Sequence, residues 1–342
     1  MTALSAPPVV PGQAPSAATE SATKRRRPVS RLGLIGYAIV VIEVVVFAVA
    51  SPGFLDPANL ATILTQSAVY AIAAFGLSIV VVTGGEDVVR GGIDLSIGAV
   101  LGFSGALVAV LLQAELGLPL ALLIGLGATA IIGLVNGLVV VAGIRPLLVT
   151  LAMMSIVTSL TIVITNNVKV PVADAGLIWL RSGHVVGVPA AVVVLLLVFA
   201  VVAFATGRTS WGVKNAAVGQ NPTAARVAGI AVNRHIVVSY VLAAVLAGIA
   251  GVLMTSRLSA ALPGIGEQSL IDILLATFLS IAFSRRLVVT ITGTLFSAVF
   301  VAILTNGFSQ LGVPSQWIGI TKGVLILLVL AVAAIRERSV KR

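Results

Sequence analysis

Cysteine is absent from this sequence, which excludes a disulfide framework and any thiolate metal site. The two histidines, His184 and His235, are too few for a histidine cluster. No Gly-Lys dipeptide occurs anywhere, so a phosphate-binding P-loop is missing as well. Charge is scarce: charged residues make up 9% of the chain against 59% hydrophobic ones, and the mean hydropathy is +1.17. A chain so poor in polar residues cannot cover one soluble core. The expected fold class is an all-α polytopic membrane protein, and the chemistry open to it is binding and movement.

What is present falls into a tail and a series of apolar runs. Residues 1–31 are rich in Pro, Ala, Ser and Thr, carry no apolar periodicity and hold the basic run Lys24, Arg25, Arg26 and Arg27 near their end. They read as a disordered basic cytoplasmic tail. The run that follows, 32–50, is longer than the core of a usual cleavable signal, and Pro28 to Ser30 do not continue a twin-arginine pattern well, so a signal anchor is preferred over a signal peptide. An apolar window of about 20 residues crosses the hydrocarbon core as a helix, because every backbone group must be satisfied internally there. Ten such windows can be placed, at roughly 32–50, 60–83, 93–112, 119–142, 146–165, 188–206, 236–255, 268–284, 287–305 and 317–335. The transmembrane region is therefore 32–335, with a polar loop at 207–235 and a basic cytoplasmic tail at 336–342.

Positive charge checks the count, since Lys and Arg in short loops collect on the cytoplasmic side. With the N-terminus inside, seventeen basic residues fall in cytoplasmic segments and three, Lys169, Arg181 and Arg257, fall outside, while Lys322 lies within the last span. Ten spans with both termini cytoplasmic follow. Orientation thus accounts for the net charge of +10, and nucleic-acid binding is not needed. Asn136-Gly137 closes span four ahead of Gly143-Ile144-Arg145-Pro146, and Asn306-Gly307 closes span nine ahead of Gly312-Val313-Pro314. Five spans separate the copies, so spans 2–5 and 7–10 would form an inverted repeat, as in many transporters. Chance recurrence of turn formers is the alternative.

The loop after span six reads GRTSWGVKNAAVGQNPTAARVAGIAVNRH. Asn221 suits an N-cap, Pro222 the first helical position, and Ala224, Ala225 and Arg226 the helix body, with Gly229 as the stop. A helix of about two turns over Pro222 to Ala228 is expected, too short to stand alone and placed to meet a soluble partner. An ordinary connection is the alternative. Between spans two and three, Gly91, Gly92, Asp94 and Ser96 form a turn whose glycines allow unusual backbone angles. Asp94 is expected to cap free N–H groups at the start of the next helix. Catalysis or metal binding by Glu86, Asp87 and Asp94 is the weaker reading.

At these two places the sequence resembles a known family. GGIDLSIGAV (Gly91 to Val100) and AVGQNPTAARVAGI (Ala217 to Ile230) are similar to the membrane subunits of ribose-type ATP-binding-cassette (ABC) importers, which take up monosaccharides or autoinducer-2. Thr305-Asn306-Gly307 and the stretch Trp317 to Gly323 fit as well, and the resemblance runs from about Phe54 to Arg338. It implies a second permease copy or paralogue, cytoplasmic ATPase subunits that bind ATP and magnesium, and an extracytoplasmic solute-binding protein. No cofactor would reside in this chain, and its setting would be the bacterial inner membrane. Gly219, Asn221, Pro222, Ala224, Ala225, Arg226 and Gly229 would form the helix that couples to the ATPase.

Two departures from the family stand out. Glu86 to Gly92 read as an insertion, and Ala276 to Arg286 replace a glycine-rich stretch with bulkier side chains. Within the spans, Glu43, Asp272 and Lys322 are costly charges unless paired or hydrated, and similar depth with opposite sign would pair Asp272 with Lys322. Gln66, Ser67, Asn136, Thr150, Ser155 and Asn306 are the uncharged polar candidates for a solute path, with helix packing as the rival role for each. An ion-coupled secondary transporter is the alternative function. A membrane enzyme would need convergent catalytic groups, and none is found.

Overall fold

The computed structural model describes residues 32–85, 92–284 and 288–340. Its helices are α1 (Leu32–Ala50), α2 (Pro57–Gly84), α3 (Ile97–Gln113), α4 (Leu118–Val141), α5 (Pro146–Thr165), α6 (Ala175–Ser182), α7 (Ala190–Arg208), α8 (Ser210–Gln220), α9 (Pro222–Val227), α10 (Val232–Leu258), α11 (Ile265–Leu279), α12 (Ile291–Gln310) and α13 (Ser315–Val340). A 3-10 turn, Ser280–Phe283, extends α11. Short strands β1 (Val170–Pro171), β2 (His184–Val185), β3 (Val188–Pro189) and β4 (Ala260–Ala261) pair antiparallel, β1 with β4 and β2 with β3.

Proline opens several of these helices, including α2, α5 and α9, where its missing N–H leaves no helical bond unmade. Every apolar window predicted above contains a helix. Among the described residues, seven helices are long and apolar enough to cross a membrane: α2, α4, α5, α7, α10, α11 with its 3-10 turn, and α12. The apolar stretches of α1, α3 and α13 are shorter.

Burial sorts the helices by depth in the bundle. In α2, 89% of the spanning window is buried within the protein, and in α10 61%, against 22% for α4 and for α5. The most buried helix is therefore α2, with α10 and α12 next, the latter also at 61%, and α4 and α5 lie outside them. Small residues let the buried backbones touch: a Cβ on Gly76 of α2 would come within 2.9 Å of the Cα and carbonyl oxygen of Ala243 in α10. The first turns of α3 and α11 meet in the same way, since a Cβ on Gly98 would fall 2.5 Å from the carbonyl oxygen of Gly266.

Among the bulky replacements at 276–286, of which Arg285 and Arg286 lie outside the described residues, Phe283 has a visible use in holding α1. Phe283 meets Tyr37 of α1 edge-on at 5.3 Å and stacks on Phe296 of α12 at 6.1 Å, while Tyr37 meets Phe296 at 4.9 Å. Such ring pairs add to burial and fasten α1 to the bundle.

Candidate functional site

At one end of the bundle the polar loop folds into two helices. Thr209 caps α8, its Oγ1 accepting from Gly212 N at 3.4 Å. Asn221 then serves both helices: its N–H donates to Ala217 O at 3.1 Å, and its Oδ1 accepts from Ala224 N at 2.9 Å. Past α9, Gly229 N donates to Arg226 O at 3.0 Å and Ile230 N to Ala225 O at 2.9 Å, with Gly229 at φ +77. That is the Schellman closure, which needs a left-handed residue at this place. The expected helix over Pro222 to Ala228 is present over Pro222–Val227, with Ala228 as its cap.

Two details differ from the sequence reading. The residues before Asn221 are helical, because the Thr209 cap and the buried side Gly212, Asn215 and Val218 give them an anchored face at helical spacing. Ala225 faces its own chain, buried against Val218 and Val232 with Ile230 and Ile236 beside them. Of the residues implied to couple, Asn221, Pro222, Ala224, Arg226 and Gly229 are exposed, Gly219 is half-buried and Ala225 is buried. Val227 joins the exposed set at 87%, an apolar side chain standing bare next to Arg226.

The turn motif lies close to this end. Gly91, with Glu86 to Arg90, falls outside the described residues. Gly92, Asp94 and Ser96 are buried. Asp94 Oδ1 accepts from Ser96 N at 2.9 Å and from Ser96 Oγ at 2.5 Å, and Asn136 Nδ2 donates to Ser96 Oγ at 2.9 Å. The expected helix start at 93 is thus corrected to Ile97. An aspartate that takes the N–H two residues on forms a local turn that competes with helix, so Asp94 fixes the approach to α3 instead of capping its first turn.

The polar candidates for a solute path have different surroundings. Gln66 is bonded on both sides, its Nε2 donating to Tyr70 Oη at 3.2 Å and its Oε1 accepting from Arg257 Nη2 at 3.0 Å. Ser67 Oγ donates to Leu64 O at 2.8 Å, Asn136 joins the Asp94 turn, and Asn306 Nδ2 donates to Asn59 Oδ1 at 2.9 Å. Thr150 Oγ1 is buried without a partner among the described residues. Ser155 stands exposed on α5, and behind it Thr158 donates to Glu267 of α11.

The charges inside the bundle divide. Lys322 Nζ lies 2.6 Å from Asp272 Oδ1, with both side chains buried, so the pairing inferred from depth and sign is present. The oxygens of Glu43 are buried with no hydrogen-bond partner among the described residues. Sequence reasoning missed Asn215, the buried amide of α8. Its signal was helical spacing from Gly212 and to Val218, visible once α8 is recognised as a helix.

A bundle of apolar helices, packed through small residues and laced by buried polar side chains, with a capped helix pair at one end, defines an all-α polytopic membrane protein. The chain belongs to the permease family whose model is described as branched-chain amino acid transport system / permease component, matched over residues 59–330. It is 34% identical over 304 residues to the ribose import permease of Bacillus subtilis, covering 87% of this chain and 91% of that protein. The Escherichia coli K12 ribose import permease is likewise 34% identical, over 301 residues, with 86% and 91% covered. The L-arabinose ABC transporter permease of Azospirillum brasilense is 29% identical over 294 residues, with 85% of each chain covered. No solved structure matches the chain.

Proposed function

We propose that this chain is the permease subunit of an ATP-driven importer in the bacterial inner membrane and moves a monosaccharide or a similar small polar solute. The observation that carries this reading is α9. A six-residue helix is unstable alone, yet this one is capped at both ends and seated on Val218 and Val232, so Pro222, Ala224, Arg226 and Val227 are held out on a rigid mount. A bare valine beside an arginine suits a groove on a soluble ATPase. The ribose and arabinose named in the relatives support a sugar as solute.

In this reading ATP and magnesium sit on the partner ATPases, and a solute-binding protein delivers from the opposite side. A second permease copy or paralogue completes the path. The ten helices cross with both termini inside, which agrees with the distribution of basic residues. Spans 2–5 and 7–10 are inverted mates, and the contacts of α2 with α10 and of α3 with α11 are what a pseudo-two-fold axis between them would give. ATPase closure then rocks the helix bundles around the path. The test is co-purification of an ATPase subunit with the full chain, before and after Ala224, Ala225 and Arg226 are replaced by glycine. Loss of the ATPase is expected. ATPase retention, or uptake by this chain alone under an ion gradient, would defeat the reading.

A further inference from the structure

Asn215 lies on the inward side of α8 at 2% exposure, although its neighbours Val213 and Lys214 face out. A carboxamide withdrawn from water is costly unless its groups are bonded, and here they are. Its Nδ2 donates to Thr83 Oγ1 and lies 3.3 Å from Ser239 Oγ. Its Oδ1 lies 3.1 Å from His235 Nδ1 and 3.5 Å from Ser239 Oγ. Thr83 Oγ1 and Ser239 Oγ are 2.7 Å apart, and Thr83 also donates to Ile79 O at 2.7 Å. With the amide nitrogen turned to the hydroxyls, the amide oxygen faces the imidazole, which assigns a hydrogen to His235 Nδ1. Trp211 of α8 stacks on the same ring at 6.3 Å.

The partners belong to two different helices. Thr83 is in the last turn of α2, and His235 and Ser239 are near the start of α10, so one amide joins α8 to both α2 and α10. The backbones are close as well. A Cβ on Gly85 would sit 2.8 Å from the Gly219 carbonyl oxygen, and a Cβ on Gly219 would overlap that of Val82. No slack separates α8 from α9, because Asn221 is bonded into both. Apolar contacts alone are non-directional and would let α8 slide along α2. Directed hydrogen bonds fix its angle and register.

We propose that Asn215 is a positioning residue that keys the α8–α9 piece to α2 and α10, so that displacement of α9 by a docked ATPase reaches both of these long helices. This rests on the ATPase-docking reading of α9. Because the chain has no cysteine, spin labels can be placed on Leu242→Cys in α10 and Val163→Cys in α5 alone, both at exposed positions. The distance is measured in the full chain bound to its ATPase, without nucleotide and after trapping with magnesium, ATP and vanadate. The expected result is a nucleotide-driven shift in the parent background. In Asn215→Leu the ATPase stays bound and hydrolyses ATP, while the shifted population falls about tenfold, within the usual range of coupling between sites. Thr83→Val breaks the same junction from the α2 side and gives the same loss, and the double variant is no worse than either single one. If Asn215→Leu fails to fold or to hold the ATPase, Thr83→Val decides. A full shift in either variant that holds the ATPase, or no shift in the parent, overturns the proposal. Failure of the parent chain to bind any ATPase would defeat the docking reading itself, and this proposal with it.

Discussion

Breaking the Asp272–Lys322 pair gives a prediction whose size follows from geometry. Asp272 sits midway along α11 and Lys322 two turns into α13, a helix that otherwise offers apolar residues such as Trp317, Ile320, Val324 and Leu327 to its surroundings. At 2.6 Å, the gross attraction is about 6 kcal/mol for an effective dielectric of 20. Desolvating the two ions costs several kcal/mol each, so the pair as a whole is worth little more than a well-packed apolar contact. Removing one partner strands the other, at a cost of about 3–5 kcal/mol. Asp272→Leu and Lys322→Met should each lose about that much stability, and the double variant about 1 kcal/mol or less, a coupling of at least about 5 kcal/mol. Reversible unfolding in mixed micelles, followed by tryptophan fluorescence, measures all four proteins. If the two single losses simply add in the double variant, the charges do not support one another and the pair is wrongly assigned.

Three further outcomes are expected. Asn221→Ala removes the α9 cap, worth about 1 kcal/mol, which a six-residue helix cannot spare; pull-down should lose the ATPase, while Asn221→Asp, which keeps the cap, should retain it. Gly266→Ala places a Cβ on the Gly98 carbonyl and should cost about 1–3 kcal/mol by overpacking, seen as reduced thermal stability on size-exclusion chromatography. Gly127→Ala meets nothing within 4 Å and should gain about 0.5–1 kcal/mol of helix stability in the same assay.

The apolar windows were legible because the bilayer demands length and hydrophobicity, and their helices match to within a few residues except where local polar chemistry intervenes. Asp94 shows such an exception. Hydropathy carried the third window back to residue 93, but the carboxylate takes the Ser96 N–H and delays α3 to Ile97. The cap at Asn221, the proline after it and the stop at Gly229 were local signals, and they were read correctly. α8 was hidden because its helical face is anchored by contacts with α2 and α10, distant in the chain. Depth and sign together matched Asp272 with Lys322. The same kind of reasoning could not separate path residues from packing ones: Gln66 and Arg257 are 191 residues apart, and nothing local in either reveals the bond. Short surface pieces such as α6 and β1 to β4 carried too little periodicity to register.

The central claim is that α9 faces the cytoplasm and receives an ATPase. A single cysteine at Thr223, an exposed position on α9, in this otherwise cysteine-free chain tests it directly. A membrane-impermeant maleimide should label Thr223→Cys in inside-out vesicles and spare it in right-side-out ones, and a photoactivatable maleimide at that site should crosslink to an ATPase subunit. Labelling from the outer face would contradict the account.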